Sequence, residues 1–192
     1  GKTGDPQNGA GRVIREEDGA RIMKLGYSES GAMTSQLAEM KYHNWDGATD
    51  KSEFQTRMQW SYDGLGRIQT ITYPDSEVLT YGYDEGGLAQ TVNGVEKGLI
   101  KVQIGEDPIT FKPIYQDQPH TWTYEYLRDR QYDEMLRVRW QEVGNGAKTE
   151  KSFDTQTQWL KRQQSFSPGQ AGPAPDSEIQ DLNYSYDSVG NP

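Results

Sequence analysis

The chain has 192 residues, a formal net charge of −9 and no cysteine. Its length suits one domain of ordinary size. The acidic balance argues against nucleic acid or an anionic membrane surface as the main partner, because both require a basic face. The lack of cysteine excludes disulfides and thiol chemistry, and no apolar run is long enough to span a bilayer. The hydrophobic content of 32% is low, but the chain has twelve tyrosines and five tryptophans. Because these side chains are amphipathic, they predict half-buried sheet surfaces.

The first third of the chain predicts strands joined by tight turns. A turn at Asp18-Gly19 followed by a strand to Tyr27 indicates a hairpin. Residues 30–42 carry apolar side chains at helical spacing, yet their neighbours are β, so both a helix and a strand remain open there. Residues 54–62 alternate between apolar and polar side chains, which is typical of a half-buried strand.

A pair of Tyr-Asp tags then marks the best-defined hairpin. Tyr62-Asp63 and Tyr83-Asp84 lie 21 residues apart, and between them two runs rich in Ile, Thr, Tyr and Val flank a turn at 74–76. Residues of these types pack well on a pleated surface. The stretch therefore predicts two antiparallel strands with a tag at each end.

The same spacing recurs in the second half of the chain. Tyr132-Asp133 and Phe153-Asp154 are again 21 residues apart, and Tyr186-Asp187 ends the series. Residues 95–121 contain three prolines and predict an irregular insertion, partly extended and partly looped. Residues 167–177 predict a loop rich in Pro and Gly.

An internal period of this length indicates stacked supersecondary units. Hairpins laid side by side would pair each other's edges, and natural twist would curl the resulting antiparallel strip. The tag tyrosines and aspartates are then predicted to be joints between neighbouring hairpins, with Gly66 at a bend that needs positive φ. The predicted repeat motif comprises Tyr62, Asp63, Gly66, Arg67, Tyr83, Asp84, Tyr132, Asp133, Phe153, Asp154, Tyr186, Asp187 and Gly190.

The run Tyr62-Asp63-Gly64-Leu65-Gly66-Arg67, with Tyr83-Asp84 behind it, resembles the YD repeat of bacterial Rhs proteins, the C subunit of insecticidal toxin complexes and animal teneurins. Three positions depart from the usual pattern: Leu136 stands at the tag glycine, Ser76 at the turn glycine and Phe153 at the tag tyrosine.

The resemblance implies an all-β strip of YD/RHS hairpins that forms part of a larger β-shell. In the toxin families such a shell encloses a C-terminal toxic domain until delivery. The expected function is thus a structural scaffold for toxin encapsulation, in a protein secreted or delivered extracellularly by a bacterium. Residues 1–192 are expected to be a single repeat segment and a fragment of a longer chain without a signal peptide of its own. Its expected partners are the rest of its parent polypeptide and the enclosed cargo.

Two other functions are alternatives to the scaffold. Trp45, Trp140 and Trp159 suit stacking on sugar rings, which keeps a carbohydrate- or cell-surface-binding module as the alternative, although packing of sheet against sheet is the favoured explanation of the tryptophans. No enzyme is predicted, and no cofactor or metal either, since His43 and His120 lack cysteine partners for zinc. Open sheet edges predict self-association.

Overall fold

The computed structural model describes residues 9–42, 51–168, 178–187 and 190. Within these ranges the chain forms twelve β-strands and no helix, and hence contains no helix that could cross a membrane. All twelve lie in one open sheet, in which each strand neighbours the strands before and after it in the sequence. The strands are β1 (Arg15–Glu17), β2 (Arg21–Tyr27), β3 (Met33–Tyr42), β4 (Lys51–Tyr62), β5 (Ile68–Thr72), β6 (Val78–Tyr83), β7 (Ala89–Glu106), β8 (Pro113–Tyr132), β9 (Val138–Val143), β10 (Lys148–Phe153), β11 (Leu160–Phe166) and β12 (Glu178–Asn183).

The predicted all-β fold of antiparallel hairpins is confirmed. The open question at residues 30–42 is answered by β3, which is a strand with antiparallel partners on both sides. Ala38, for example, lies between Met23 of β2 and Thr56 of β4. Pairing on both edges provides partners for the backbone N–H and C=O groups, which outweighs the helical spacing of the apolar residues.

The predicted irregular insertion at 95–121 is instead part of two long strands, β7 and β8, joined by a turn at Asp107–Lys112. Pro108 lies in that turn and Pro113 opens β8, two positions where the missing N–H interrupts no ladder bond. Residues 113–121 of β8 are all exposed. Most of the predicted loop at 167–177 lies outside the described residues.

Contacts divide the chain into two compact units. The first comprises residues 1–80 and 95–122, and the second comprises residues 81–94 and 123–192.

In the first unit the sheet is amphipathic. Cross-strand register places Leu25, Met58, Trp60 and Ile71 on one half-buried face. Residues that alternate with them, such as Lys24, lie on a polar face. This is the usual arrangement of an antiparallel sheet with one apolar side.

In the second unit Leu127 and Phe166 are the two fully buried large hydrophobic side chains among the described residues. Most of the other large apolar side chains in the described ranges are half-buried, as the low hydrophobic content predicts.

Candidate functional site at the tyrosine–aspartate turns

Six turns in the described ranges share one five-residue geometry. The N–H of the first residue donates to the carbonyl of the fifth, the N–H of the fourth donates to the carbonyl of the first, and the fourth residue has positive φ. This is the three-residue hairpin loop in which a type I turn is followed by a left-handed residue. The turns span residues 28–32, 63–67, 73–77, 84–88, 133–137 and 143–147.

The tag aspartate occupies the first position of its turn and binds the turn from within. Asp63 Oδ1 accepts from the N–H groups of Leu65 (2.9 Å) and Arg67 (3.0 Å). Asp133 Oδ1 accepts from Met135 (2.9 Å) and Arg137 (3.0 Å) in the same way. A short acceptor at this position satisfies donors that the turn leaves open.

An arginine at the fifth position completes two of these turns. Arg67 Nε donates to Asp63 Oδ2 at 2.7 Å, and Arg137 Nε donates to Asp133 Oδ2 at 2.8 Å. For Asp63 the backbone N–H of Arg67 is the main cause that lowers the carboxyl pKa, and the arginine side chain adds to it. For Asp133 the order is reversed, and the Arg137 side chain is the main cause of the lowered pKa. Hydrogen bonds to the charged form favour the carboxylate.

The tag tyrosine reaches away from its own turn. The hydroxyls of Tyr27, Tyr62, Tyr132 and Tyr186 donate to a backbone carbonyl near the start of the preceding strand, and for the last three the acceptor is the first residue after the preceding tag-type turn. Each of these three bonds therefore connects two turns at the same ends of the strands. The four bonds run from Tyr27 to Val13 (2.9 Å), Tyr62 to Met33 (2.7 Å), Tyr132 to Ala89 (2.7 Å) and Tyr186 to Leu160 (2.8 Å).

A β-bulge accompanies the tag aromatic at four positions, a feature that the sequence pattern does not predict. Tyr62 pairs with Ile68 while Ser61 pairs with Thr70, so Gln69 is an extra residue in β5. The register shifts in the same way at Tyr27, Tyr132 and Phe153. Bulges bend a strand and increase its local twist. No residue type marks the bulge in this sequence, because the extra residue is Thr34, Gln69, Arg139 or Lys161.

Phe153 and Asp154 form a variant of the tag. Asp154 begins a six-residue turn that closes with its N–H donating to the carbonyl of Trp159 at 2.8 Å. Its carboxylate accepts from the N–H groups of Thr157 and Gln156, and these bonds, the Thr157 one first, lower its pKa. Gln158 takes the left-handed conformation with φ 64°.

The other predicted tags have the same placement. Tyr83 ends β6 directly before the turn of Asp84, whose Oδ1 accepts from Leu88 N–H at 2.8 Å. Asp187 follows Tyr186, and its carbonyl accepts from Gly190 N–H at 3.2 Å. Gly66 and Gly190 have φ of 79° and 90°, as expected for the bend.

The three tryptophans proposed for glycan stacking differ in their surroundings. Trp159 packs against Tyr186 with 4.9 Å between ring centroids, while Trp45 lies outside the described residues. Trp140 lines an open depression of about 390 Å³. Register places Gln131 of β8, Glu150 of β10 and Gln164 of β11 in one row with Trp140.

The described residues also show whether side chains come together to bind a metal ion. Nowhere in these ranges do three His, Asp or Glu side chains lie together so as to hold a metal ion. His120 packs edge-to-face on Trp122, 4.7 Å between ring centroids, and His43 is outside the described ranges.

One part of the chain matches a known family of repeats. The family model described as RHS Repeat matches residues 59–93, which contain the first two predicted tags. A comparison with curated proteins finds no match.

Solved structures match over nearly the whole chain. The crystal structure of TcdB2-TccC3-Cdc42 aligns with 94% of this chain at 21% identity and a TM-score of 0.67. The structure of the Photorhabdus luminescens Tc holotoxin pore with the TccC3-D651A mutation aligns with 94% at 20% identity and the same TM-score. In both cases the match covers 8% of the other chain. The resemblance inferred from the sequence is thus confirmed: residues 59–93 match an RHS repeat, and the chain has the β-sheet fold found in toxin-complex structures.

Proposed function

We propose that this chain is a wall segment of a β-shell that holds a toxin or other cargo polypeptide apart from the cell that makes it. The observation that carries the proposal is the alignment of 94% of this chain with 8% of a toxin-complex chain at a TM-score of 0.67. A chain that fits one short stretch of a much larger β-structure has the properties of a repeated building unit. Its partners would be the rest of its parent polypeptide and the cargo, and its delivery would be extracellular, from a bacterium.

Exclusion is the proposed mechanism. Adjacent strands connected by backbone hydrogen bonds leave no gap that a polypeptide could pass. In this proposal the tag residues, such as Tyr62, Asp63 and Arg67, are structural joints rather than a catalytic site. Support comes from the tyrosine hydroxyl bonds, which connect successive turns, and from the aspartate bonds, which close each turn. The proposal assigns no catalysis to this segment.

Electron microscopy of the natural polypeptide that contains this chain tests the proposal directly. A hollow particle, with this sheet in its wall and polypeptide density inside, is the expected result. Limited proteolysis of the same particle should leave the enclosed segment intact until the shell is opened by denaturant. A solid particle, or an enclosed segment cut as fast in the intact particle as in denaturant, would sink the proposal.

Carbohydrate binding at the Trp140 depression is the second candidate. An aromatic ring in one row with two glutamine amides and a carboxylate offers both a stacking surface and hydrogen-bonding groups. Tryptophan fluorescence titration with a panel of neutral oligosaccharides tests it. Binding that is lost in Trp140→Ala and kept in Trp159→Phe is expected, whereas the absence of any saturable change removes this candidate.

A further inference from the structure

The tag at Phe153 lacks the hydroxyl group that connects Tyr62, Tyr132 and Tyr186 to the preceding turn. By the pattern of Tyr62, Tyr132 and Tyr186, a tyrosine at 153 would donate to the carbonyl of Val138, the first residue after the 133–137 turn. Phenylalanine makes no such bond. Another group must therefore connect the two turns if this joint is as firm as the others.

Arg137 contacts both turns at this joint. Its guanidinium lies over the Phe153 ring, 3.8 Å from the centroid. Nη1 donates to the carbonyl of Gln158 at 2.6 Å, and Nη2 donates to Gln158 Oε1 at 3.0 Å. On its own turn the same side chain donates to Asp133. One planar cation thus contacts its own turn, the next tag aromatic and the next turn.

We infer that Arg137 is the positioning residue of this joint and substitutes for the missing tyrosine hydroxyl. The added residue in the 154–159 turn fits this role. It accompanies the left-handed conformation at Gln158, whose backbone carbonyl and side-chain oxygen both accept from Arg137. Asp133 Oδ2 contacts both Nε (2.8 Å) and Nη2 (2.6 Å) of the guanidinium, and the N–H groups of Nη1 and the second N–H of Nη2 face the neighbouring turn.

Arg162 provides a matched control on the next strand pair. It forms a two-point ion pair with Asp181, with Nε and Nη2 each 2.7 Å from a carboxylate oxygen. That pair joins two neighbouring strands and contacts neither turn of the joint. Replacing either arginine by glutamine removes one positive charge and one arginine–aspartate contact.

Hydrogen exchange of the Gln158 N–H, which donates to Asp154 within the turn, reports on the joint. In the full 192-residue chain we expect Arg137→Gln to speed this exchange by about tenfold, the effect of losing one charge-assisted hydrogen bond. Arg162→Gln should leave it unchanged. Arg137→Lys keeps the charge but not the planar fork, so it should also speed the exchange.

Phe153→Tyr provides the decisive comparison. In the Arg137→Gln background the new hydroxyl should restore most of the lost protection and raise the urea midpoint, because it supplies the connection used by the other tags. In the wild-type background its effect should be smaller, since Arg137 already connects the turns. Equal effects of Phe153→Tyr in both backgrounds would overturn the inference. So would exchange at Gln158 that responds to Arg162→Gln as much as to Arg137→Gln.

Discussion

At the scale of single residues, the fourth position of the turn has a left-handed backbone conformation that most side chains disfavour. Gly66 has φ 79° and Leu136 has φ 62° in turns with the same hydrogen bonds. A side chain with a Cβ is strained in the left-handed region, and glycine is not. Because Leu136 is 66% exposed, packing of its side chain does little to offset the free-energy cost of that strain.

Leu136→Gly is therefore expected to stabilise the protein. The relief of left-handed strain should raise the free energy of unfolding by about 1 kcal/mol, measured by urea denaturation. Gly66→Leu, the reverse change in the equivalent turn, should lower it by a similar amount. A loss of stability in Leu136→Gly would contradict the strain argument.

The tag carboxylates predict the response to acid. The pKa values of Asp63, Asp133 and Asp154 are lowered by hydrogen bonds that exist only in the folded state. A lowered folded pKa adds stability above the unfolded value of about 3.9 and loses it as the pH falls through the folded pKa. The thermal midpoint should thus change little from neutral pH to about pH 5 and fall steeply below about pH 4.

Asp133→Asn should make that acid fall shallower, because one linked proton is removed. Asp117→Asn, at an exposed residue of β8, is the control and should leave the slope as it is. The measurement is the thermal midpoint by circular dichroism across the pH series. A slope that is the same in Asp133→Asn and wild type would show that this carboxylate contributes nothing to acid unfolding.

At the scale of elements, the tyrosine hydroxyl bond connects hairpins that are distant in sequence. Tyr132 donates to Ala89, 43 residues earlier, across β7 and β8. The bulges beside Tyr27, Tyr62, Tyr132 and Phe153 add local bending at the same ends of the strands. Turn, bulge and hydroxyl bond thus form one structural unit that is repeated along the chain.

Tyr132→Phe should lower the free energy of unfolding by about 1 kcal/mol, the net value of one hydrogen bond. Tyr115→Phe removes a hydroxyl from an exposed residue of β8 and should change it by much less. Urea denaturation of both variants makes the comparison. If both changes had the same effect, the bond to Ala89 would contribute nothing specific.

At the scale of the whole molecule, the ends of the described sheet are exposed. β12 is the last strand in the sheet order, and all of its side chains are exposed, including Ile179 at 65%. An unpaired edge strand with an exposed β-branched residue is a template for pairing with another chain. The 192-residue chain by itself should therefore associate as its concentration rises.

Ile179→Lys should suppress this association, because a lysine on an edge strand blocks further pairing. Leu65→Lys, at an exposed turn residue away from the edge, adds the same charge and should have little effect. Sedimentation velocity across a concentration series distinguishes the two. Association that is unchanged in Ile179→Lys would exclude the β12 edge as the contact.

Much of the fold follows from local sequence. Asp63, Gly66 and Arg67 make contacts within one five-residue turn, so their spacing alone predicts the turn and its positive φ. The strands between turns follow from the alternation of side chains, as at 54–62. These features depend only on residues that are neighbours in the chain, which is why the sequence alone predicts the repeat.

Contacts between distant residues decided the rest. Residues 33–42 became a strand because β2 and β4 lie on either side, and the prolines of 95–121 fit within two long strands and their turn. No local pattern shows that Arg137 contacts a turn 21 residues later. By itself, then, the sequence determined the repeated turns and the antiparallel hairpins, since short-range hydrogen bonds and backbone conformation suffice for them. Only the tertiary structure decided the strand pairing, the bulges and the joints, because their free energy comes from groups that meet after the sheet has formed.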